Sequence, residues 1–397
     1  MVKESIKLNN PERFTKPHSI DRAKLEAAAK AATEKLRALA EKYGDAFPET
    51  RSIEFKYQCS ENKNWEAGMY TGCYWLAYEL TGDEFFRECA ERQLESYKTR
   101  YEGKIGLDSH DVGFVYSPSC VAAYKLTGNE EAKELALKAA EYLYEKSYSK
   151  EGKFIIRSWK GWDGGWGCRT MMDSLMNAPL FSWASLVSGD QKYTEAAKDH
   201  VKTTEMYLIR EDASSFHHYQ FDPKDASPVN GVTLQGRSDD SCWARGHAWG
   251  VYGLPIAYSY SKADYLPELH KNITYFMLNH LPEDLIPYWD YDFVDGIEPR
   301  DSSAALISVC GLHEMVKMLP DSAEQKKIFE SAASQMLEAV IDNCTGDIGV
   351  KHYDGLVCHV THAKPQGQGI DECAVYGDYF YLEALARYLK PDFKMYW

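Results

Sequence analysis

Leu80-Thr81-Gly82-Asp83, Leu126-Thr127-Gly128-Asn129 and Val187-Ser188-Gly189-Asp190 are three versions of one four-residue phrase. Each follows an apolar helical run: Gly72–Glu79, Cys120–Lys125 and Leu180–Leu186. Each also precedes a second run, with Phe86, Cys89, Ala90 and Leu94 at helical spacing in the first case, then Ala132–Tyr144 and Tyr193–Tyr207. The glycine is a helix stop, and the Asp or Asn after it suits the N-cap of the next helix. Looser versions stand at Ser261-Lys262-Ala263-Asp264 and Leu319-Pro320-Asp321-Ser322. These turns define five helix–tight turn–helix units. Ile20–Tyr43 and Val375–Leu389 read as terminal helices and bring the count to twelve. Twelve helices in six antiparallel pairs predict an all-α fold, an (α/α)6 barrel spanning residues 1–397 as a single domain. An open solenoid would need polar caps at its ends, whereas the Tyr- and Leu-rich last helix suits a buried closing element.

The connections are asymmetric. Within a hairpin the turn is tight; between hairpins the chain runs through 44–64, 101–111, 149–170, 209–240, 282–300 and 344–374. Long loops in a compact fold usually carry function, and all of these open on one face, at the N-terminal ends of the inner helices. The unusual polar and aromatic residues cluster there: Trp65, His110-Asp111, Trp159, Arg169, Asp173, His217, Gln235, Trp243, Arg245, Trp249 and Arg300-Asp301. This layout predicts the active-site cleft.

The chain has 397 residues, 44% hydrophobic and 26% charged, which excludes global disorder. Its net charge of −15 argues against nucleic acid or an anionic membrane surface as a partner, since both need a basic footprint. No apolar stretch approaches the length of a membrane span, and Met1–Lys7 shows no signal-peptide h-region. Ten cysteines without a C-x-x-C, many inside apolar runs, read as reduced thiols of a cytoplasmic protein. Ten Trp and 28 Tyr suit a sugar cleft or a large core equally well.

No G-x-G-x-x-G, P-loop, G-x-S-x-G or H-E-x-x-H is present, and no cofactor or metal is expected. Cys358-His359-Val360-Thr361-His362 lacks a fourth ligand at a recognisable spacing, and the adjacent His217-His218 should diverge. Asp111 opens an inner helix and reads as an N-cap or as a catalytic carboxylate. Asp173, inside Met171–Met176, either pairs with Arg169 at i−4 or joins Asp111 as an acid/base pair. In the second reading, mutual repulsion would raise one pKa and leave a proton donor near neutral pH. Arg245 and Trp249 share a helix face at i, i+4, an arrangement suited to a substrate carboxylate beside a sugar ring. A buried Arg–Trp contact is the structural alternative.

Several runs then carry a resemblance: Asn64–Gly68 with Tyr70–Glu79, His110–Phe114, Arg169–Asp173 and Gly231–Gly236. Trp243–Gly250, Tyr288–Asp290, Arg300–Ser303 and Gly377–Leu385 continue it. In this order, from about Trp65 to the C-terminal helix, the chain resembles the unsaturated glucuronyl hydrolases, glycoside hydrolase family 88. The resemblance implies an (α/α)6 barrel, and as substrate an oligosaccharide, usually a disaccharide, with a 4,5-unsaturated uronic acid at its non-reducing end. It assigns Asp173 as general acid/base and Asp111 as the second essential aspartate. Its substrate contacts match Trp65, Trp159, His217, Gly231, Thr233, Gln235, Arg245 and Trp249, to which His110 is added from its place beside Asp111. The implied chemistry is hydration: Asp173 protonates C4 of the vinyl ether, water adds at C5, and the hemiketal opens. Asp111 would stabilise charge developing on the ring.

Two departures stand out. His247 occupies a position commonly held by Gln in the family, beside Arg245, and is expected to titrate near neutral pH. The loop Ala363–Gln368 borders the leaving-sugar site, where Lys364 is a candidate sulfate contact. Arg169, Arg245, His110, His217, Arg237, His247 and Arg300 are expected to make a basic mouth in an acidic protein. Three rival readings share many of these residues: an unsaturated rhamnogalacturonyl hydrolase, a glycosidase acting on saturated glycosides, and a non-enzymatic carbohydrate-binding barrel.

Overall fold

In the computed structural model, which describes residues 2–157, 168–349 and 352–397, each residue of the turn phrase has a distinct job. Gly82, Gly128 and Gly189 take φ of +69°, +70° and +78° and return their N–H to the last helical turn. Asp83, Asn129 and Asp190 then accept from the N–H of Phe85, Ala132 and Lys192. Thr81, Thr127 and Ser188 donate back to carbonyls four residues earlier. Each cap contributes about 1 kcal/mol, and together they fix where one helix ends and its partner begins. In the looser fourth turn Lys262 takes the left-handed position at φ 53°.

The first helices of the hairpins form an inner ring: Ala67–Thr81, Val112–Thr127, Pro179–Ser188, Ala244–Ser261, Ser302–Met318 and Val375–Leu389. The second of these is broken by a π-type turn at Ser117–Val121, where Pro118 has no N–H for the helical ladder. Each inner helix packs on the next, and Val375–Leu389 packs back on Ala67–Thr81, so the ring is closed. Arg22–Tyr43, Glu84–Gly103, Glu130–Ser147, Gln191–Thr203, Leu266–Asn279 and Glu324–Cys344 form the outer ring. This is the expected (α/α)6 barrel, and an apolar core from Phe14 to Trp397 runs through it.

The inner helices lie so close that some approaches admit only glycine. A Cβ on Gly68 would sit 2.3 Å from the carbonyl oxygens of Phe114 and Val115, and one on Gly311 would sit 2.4 Å from that of Val251. Within the described residues, no helix is long and apolar enough to cross a membrane.

The inter-hairpin segments hold small antiparallel sheets that helical periodicity does not reveal. Phe47–Pro48 pairs with Cys59–Ser60, and Tyr148–Ser149 with Phe154–Ile155. A three-stranded sheet joins Cys168–Met171, His218–Phe221 and Pro228–Val232. Asp173 lies within a 3-10 turn, Met172–Met176, rather than on the α-helix expected there.

Candidate active site

A cleft of about 430 Å³ opens at the N-terminal ends of the inner helices. Trp65, His110, Asp111, Asp173, Gln235, Arg245 and Trp249 all line it. A second hollow of about 510 Å³ lies between Pro179–Ser188, Gln191–Thr203 and the C-terminal end of Ala244–Ser261. Its charged lining is Lys198, Asp199 and Lys202, with none of the histidines, aspartate pair or tryptophans that converge on the first.

Asp111 sits at the N-cap position of Val112–Tyr116, yet its side chain makes no capping hydrogen bond. Oδ2 instead accepts from Ser109 Oγ at 2.8 Å, and Oδ1 lies 3.2 Å from His110 Nε2. The same Nε2 is 3.6 Å from Asp173 Oδ2. Asn177 ties the two carboxylate-bearing segments together, accepting from Phe114 N–H and donating to the Asp173 carbonyl. Among the described residues Asp173 Oδ1 is buried without a hydrogen-bond partner, a costly condition for a carboxylate oxygen.

The electrostatics correct one expectation. Burial opposes charge on His110, but Asp111 and Asp173 together outweigh it, and the imidazole is pushed up to about 9. Burial also opposes charge on Asp173, yet His110 and, more weakly, His217 hold its carboxyl below the usual range. Asp173 is therefore not raised by repulsion from Asp111, because a cation stands between the two carboxylates. Its partner is His110 rather than Arg169, which lies on the strand Cys168–Met171 opposite Gln220.

Aromatic rings line the cleft. Trp65 stacks on Tyr376 at 5.5 Å and 22°, and leans on Phe114 at 5.2 Å. Trp249 packs on Phe114 and Phe380. Arg245 is 2% exposed and arrives already paired: Nη1 donates to Asp301 and the Thr361 carbonyl, Nη2 to the His362 carbonyl. Its guanidinium also lies over Trp243 and Tyr376, at 4.6 and 4.7 Å. The open cationic fork expected for a substrate carboxylate is thus largely engaged within the protein. Gln235 donates to the same His362 carbonyl, so these residues shape the backbone at 361–362.

His217, Gly231 and Thr233 stand behind this lining rather than in it. His217 Nδ1 faces the N–H groups of Leu234 and Gln235, at 3.3 and 3.5 Å. Thr233 Oγ1 accepts from Gly236 N–H, and Gly231 leaves room for the Phe216 ring, which a Cβ would meet at 2.2 Å. All three set the course of the Thr233–Gly236 loop. Trp159 lies outside the described residues.

The expected basic mouth is largely neutralised. Burial pushes His217 down to about 3 and His247 down to about 4. His247 is enclosed, meeting Ser215 Oγ and the Ile273 carbonyl, and does not titrate near neutral pH. Arg237 pairs with Asp292, Arg300 with Asp284 and Lys364 with Glu298. Nor do His217 and His218 diverge: their Nε2 atoms meet at 3.0 Å, because His217 precedes the strand and escapes its alternation.

Asp301, placed at the cleft by the loop layout, and Tyr376 and Arg157, to which the sequence gave no role, also shape the site. Tyr376, like Asp301, stands at the start of an inner helix, a positional signal that could have found it. Arg157 offers its carbonyl to both the N–H and Nδ1 of His110, a contact no local pattern encodes. His359, in the histidine-rich run, pairs with Asp371, and His362 lines the cleft. Among the described residues no group of three His, Cys, Asp or Glu is placed to hold a metal ion.

Comparison with known proteins agrees with this architecture. The model of Glycosyl Hydrolase Family 88 matches residues 37–294. The unsaturated chondroitin disaccharide hydrolase of Streptococcus pyogenes serotype M1 is 41% identical over 392 residues, covering 98% of this chain and 97% of that protein. The crystal structure of an unsaturated glucuronyl hydrolase from Streptococcus agalactiae superposes with a TM-score of 0.95 at 36% identity, covering 100% of both chains. An Asp-to-Asn variant of that enzyme, complexed with dGlcA-GalNAc6S, superposes at 0.89 with 35% identity, covering 100% of this chain and 99% of that one. With its closed double ring of helices and paired carboxylates, the chain belongs to glycoside hydrolase family 88.

Proposed function

We propose that this glycoside hydrolase removes a 4,5-unsaturated uronic acid from the non-reducing end of lyase-generated oligosaccharides, of the glycosaminoglycan disaccharide type. One observation carries the reading: Asp111 and Asp173 flank a single imidazole nitrogen in an aromatic-lined cleft, with one Asp173 oxygen unpartnered among the described residues. The names of the relatives support the substrate class. Trp65 and Trp249 offer ring faces to the sugar. Asp173 delivers a proton to C4 as the C4=C5 π-bond breaks, and positive charge develops on C5 and the ring oxygen. The Asp111 carboxylate stabilises that charge, and Asp173 takes the proton of the water that adds at C5. The hemiketal opens and releases the partner sugar. We place this chemistry in one cytoplasmic catalytic domain, residues 1–397, a setting supported by ten free thiols.

The test is a panel of disaccharides followed by loss of the C=C ultraviolet absorbance. Unsaturated chondroitin or hyaluronan disaccharides should be consumed. Turnover confined to the unsaturated rhamnogalacturonan disaccharide would overturn the substrate assignment. Cleavage of saturated glycosides with solvent label at C1 would overturn the mechanism.

A further inference from the structure

His110, His200 and His217 interact with Asp173, His218 abuts His217, and the bonding of the four separates them. His200, from the outer helix Gln191–Thr203, accepts the Ile155 N–H at Nδ1, which keeps that nitrogen unprotonated. His217 Nδ1 faces two backbone N–H groups, so its proton sits on Nε2 and points at His218 Nε2, which must accept it. All three are therefore neutral. His110 differs: Nδ1 faces the Arg157 carbonyl at 3.1 Å, and Nε2 faces two carboxylates. Nδ1 meets an acceptor, and Nε2 lies within ion-pair distance of two carboxylates without a formed hydrogen bond to either, a setting that favours a second proton on the ring.

We propose that His110 is the positioning residue that stores the catalytic proton between turnovers and passes it through Asp173. This rests on the hydration chemistry proposed above. The proton leaves Nε2 for Asp173 Oδ2 when substrate displaces water, then goes to C4 as the C4=C5 π-bond breaks. Water forms the new bond to C5, and its released proton returns through Asp173 to Nε2, so the pair ends each turnover with the protons it began with. The arrangement resolves a conflict in the site: an acid is required, yet Asp173 rests as a carboxylate beside a cation.

Among the described residues the charged and titratable neighbours are few. Asp111 and Asp173 face Nε2, and they favour the imidazolium. His200 and His217 are held down to about 3 by burial, and His218 lower still, so none competes for the proton. Arg157 contributes its carbonyl at Nδ1, while its charge acts on His217 and His218.

Two measurements test the proposal in the full-length protein. Histidine side-chain 15N NMR should show one ring doubly protonated at pH 8, losing its signature as pH rises through about 9. In Asp173→Asn the same ring should titrate at least tenfold lower in proton affinity. A neutral His110 at pH 8 would overturn the proposal whatever the enzyme turns over, which separates its failure from that of the functional reading. The second measurement is the pH profile of kcat for His110→Gln, whose amide retains a donor at the Nε2 position but stores no proton. Its kcat should fall at least 100-fold, KM should change less than threefold, and the alkaline limb near pH 9 should move into the carboxylate range. An unchanged limb, with or without a lower kcat, would overturn the storage role, as would wild-type turnover. A melting curve matching that of the wild type establishes that the variant is folded.

Discussion

Lowering the pH from 7.5 to 5 should unfold this protein through its histidines before its carboxylates titrate. His200, His217, His218, His247 and His270 are at most 3% exposed. Burial holds His200, His217 and His270 at about 3, His247 at about 4, and His218 well below its ordinary value. A depressed histidine stabilises the fold fully above the unfolded value, about 6.5, and that contribution is lost as pH falls below it. At pH 5 the unfolded chain binds nearly one proton per ring that the fold refuses, a penalty of about 2 kcal/mol each. Five such rings give a loss on the order of 10 kcal/mol, comparable with the whole stability of an ordinary domain. His110 has the opposite sign: its contribution is complete below the unfolded value and fades as pH rises through about 9, so it does not protect against acid beyond what it supplies at neutral pH. Burial also holds His313 and His362 at about 3, so urea unfolding at steps of half a pH unit should give a slope corresponding to about six protons taken up at pH 5.5. His270→Gln, which keeps a donor to the Val251 carbonyl, should remove about one proton from that count. Uptake of fewer than about one proton between pH 6.5 and 5 would refute the reasoning.

Three further outcomes follow from the geometry. Asp301→Ala leaves the Arg245 guanidinium buried without its counter-charge and should cost about 3–5 kcal/mol in urea unfolding; a cost under about 1 kcal/mol would remove that pair as the anchor of the 361–362 backbone. Gly68→Ala drives a methyl against two carbonyl oxygens of the adjacent inner helix. It should cost about 3 kcal/mol or more or prevent folding, as judged by thermal melting and soluble yield. His247→Gln should leave both limbs of the kcat/KM profile in place, because the enclosed imidazole carries no charge at neutral pH; a shifted limb would show that it communicates with the cleft.

The helices were legible because their signals are local. Gly82, Gly128 and Gly189, with the capping residues that follow them, act within one turn of chain. That Asp111 and Asp173 stand just ahead of or at the entry to inner helices was visible for the same reason. The small sheet carrying Arg169 and His218 was not, since its strands pair across distant segments and are too short for an alternation pattern.

The sequence by itself determined a closed ring of helical hairpins, the face on which its long loops gather, and the two aspartates at its mouth. Only the tertiary structure decided where the charge sits. It put His110 between Asp111 and Asp173, engaged Arg245 with Asp301, and turned His217 and His247 into neutral rings. The reason is physical: capping and helical spacing act over a few residues, whereas a proton's location depends on burial and on charges brought within a few ångströms from far along the chain.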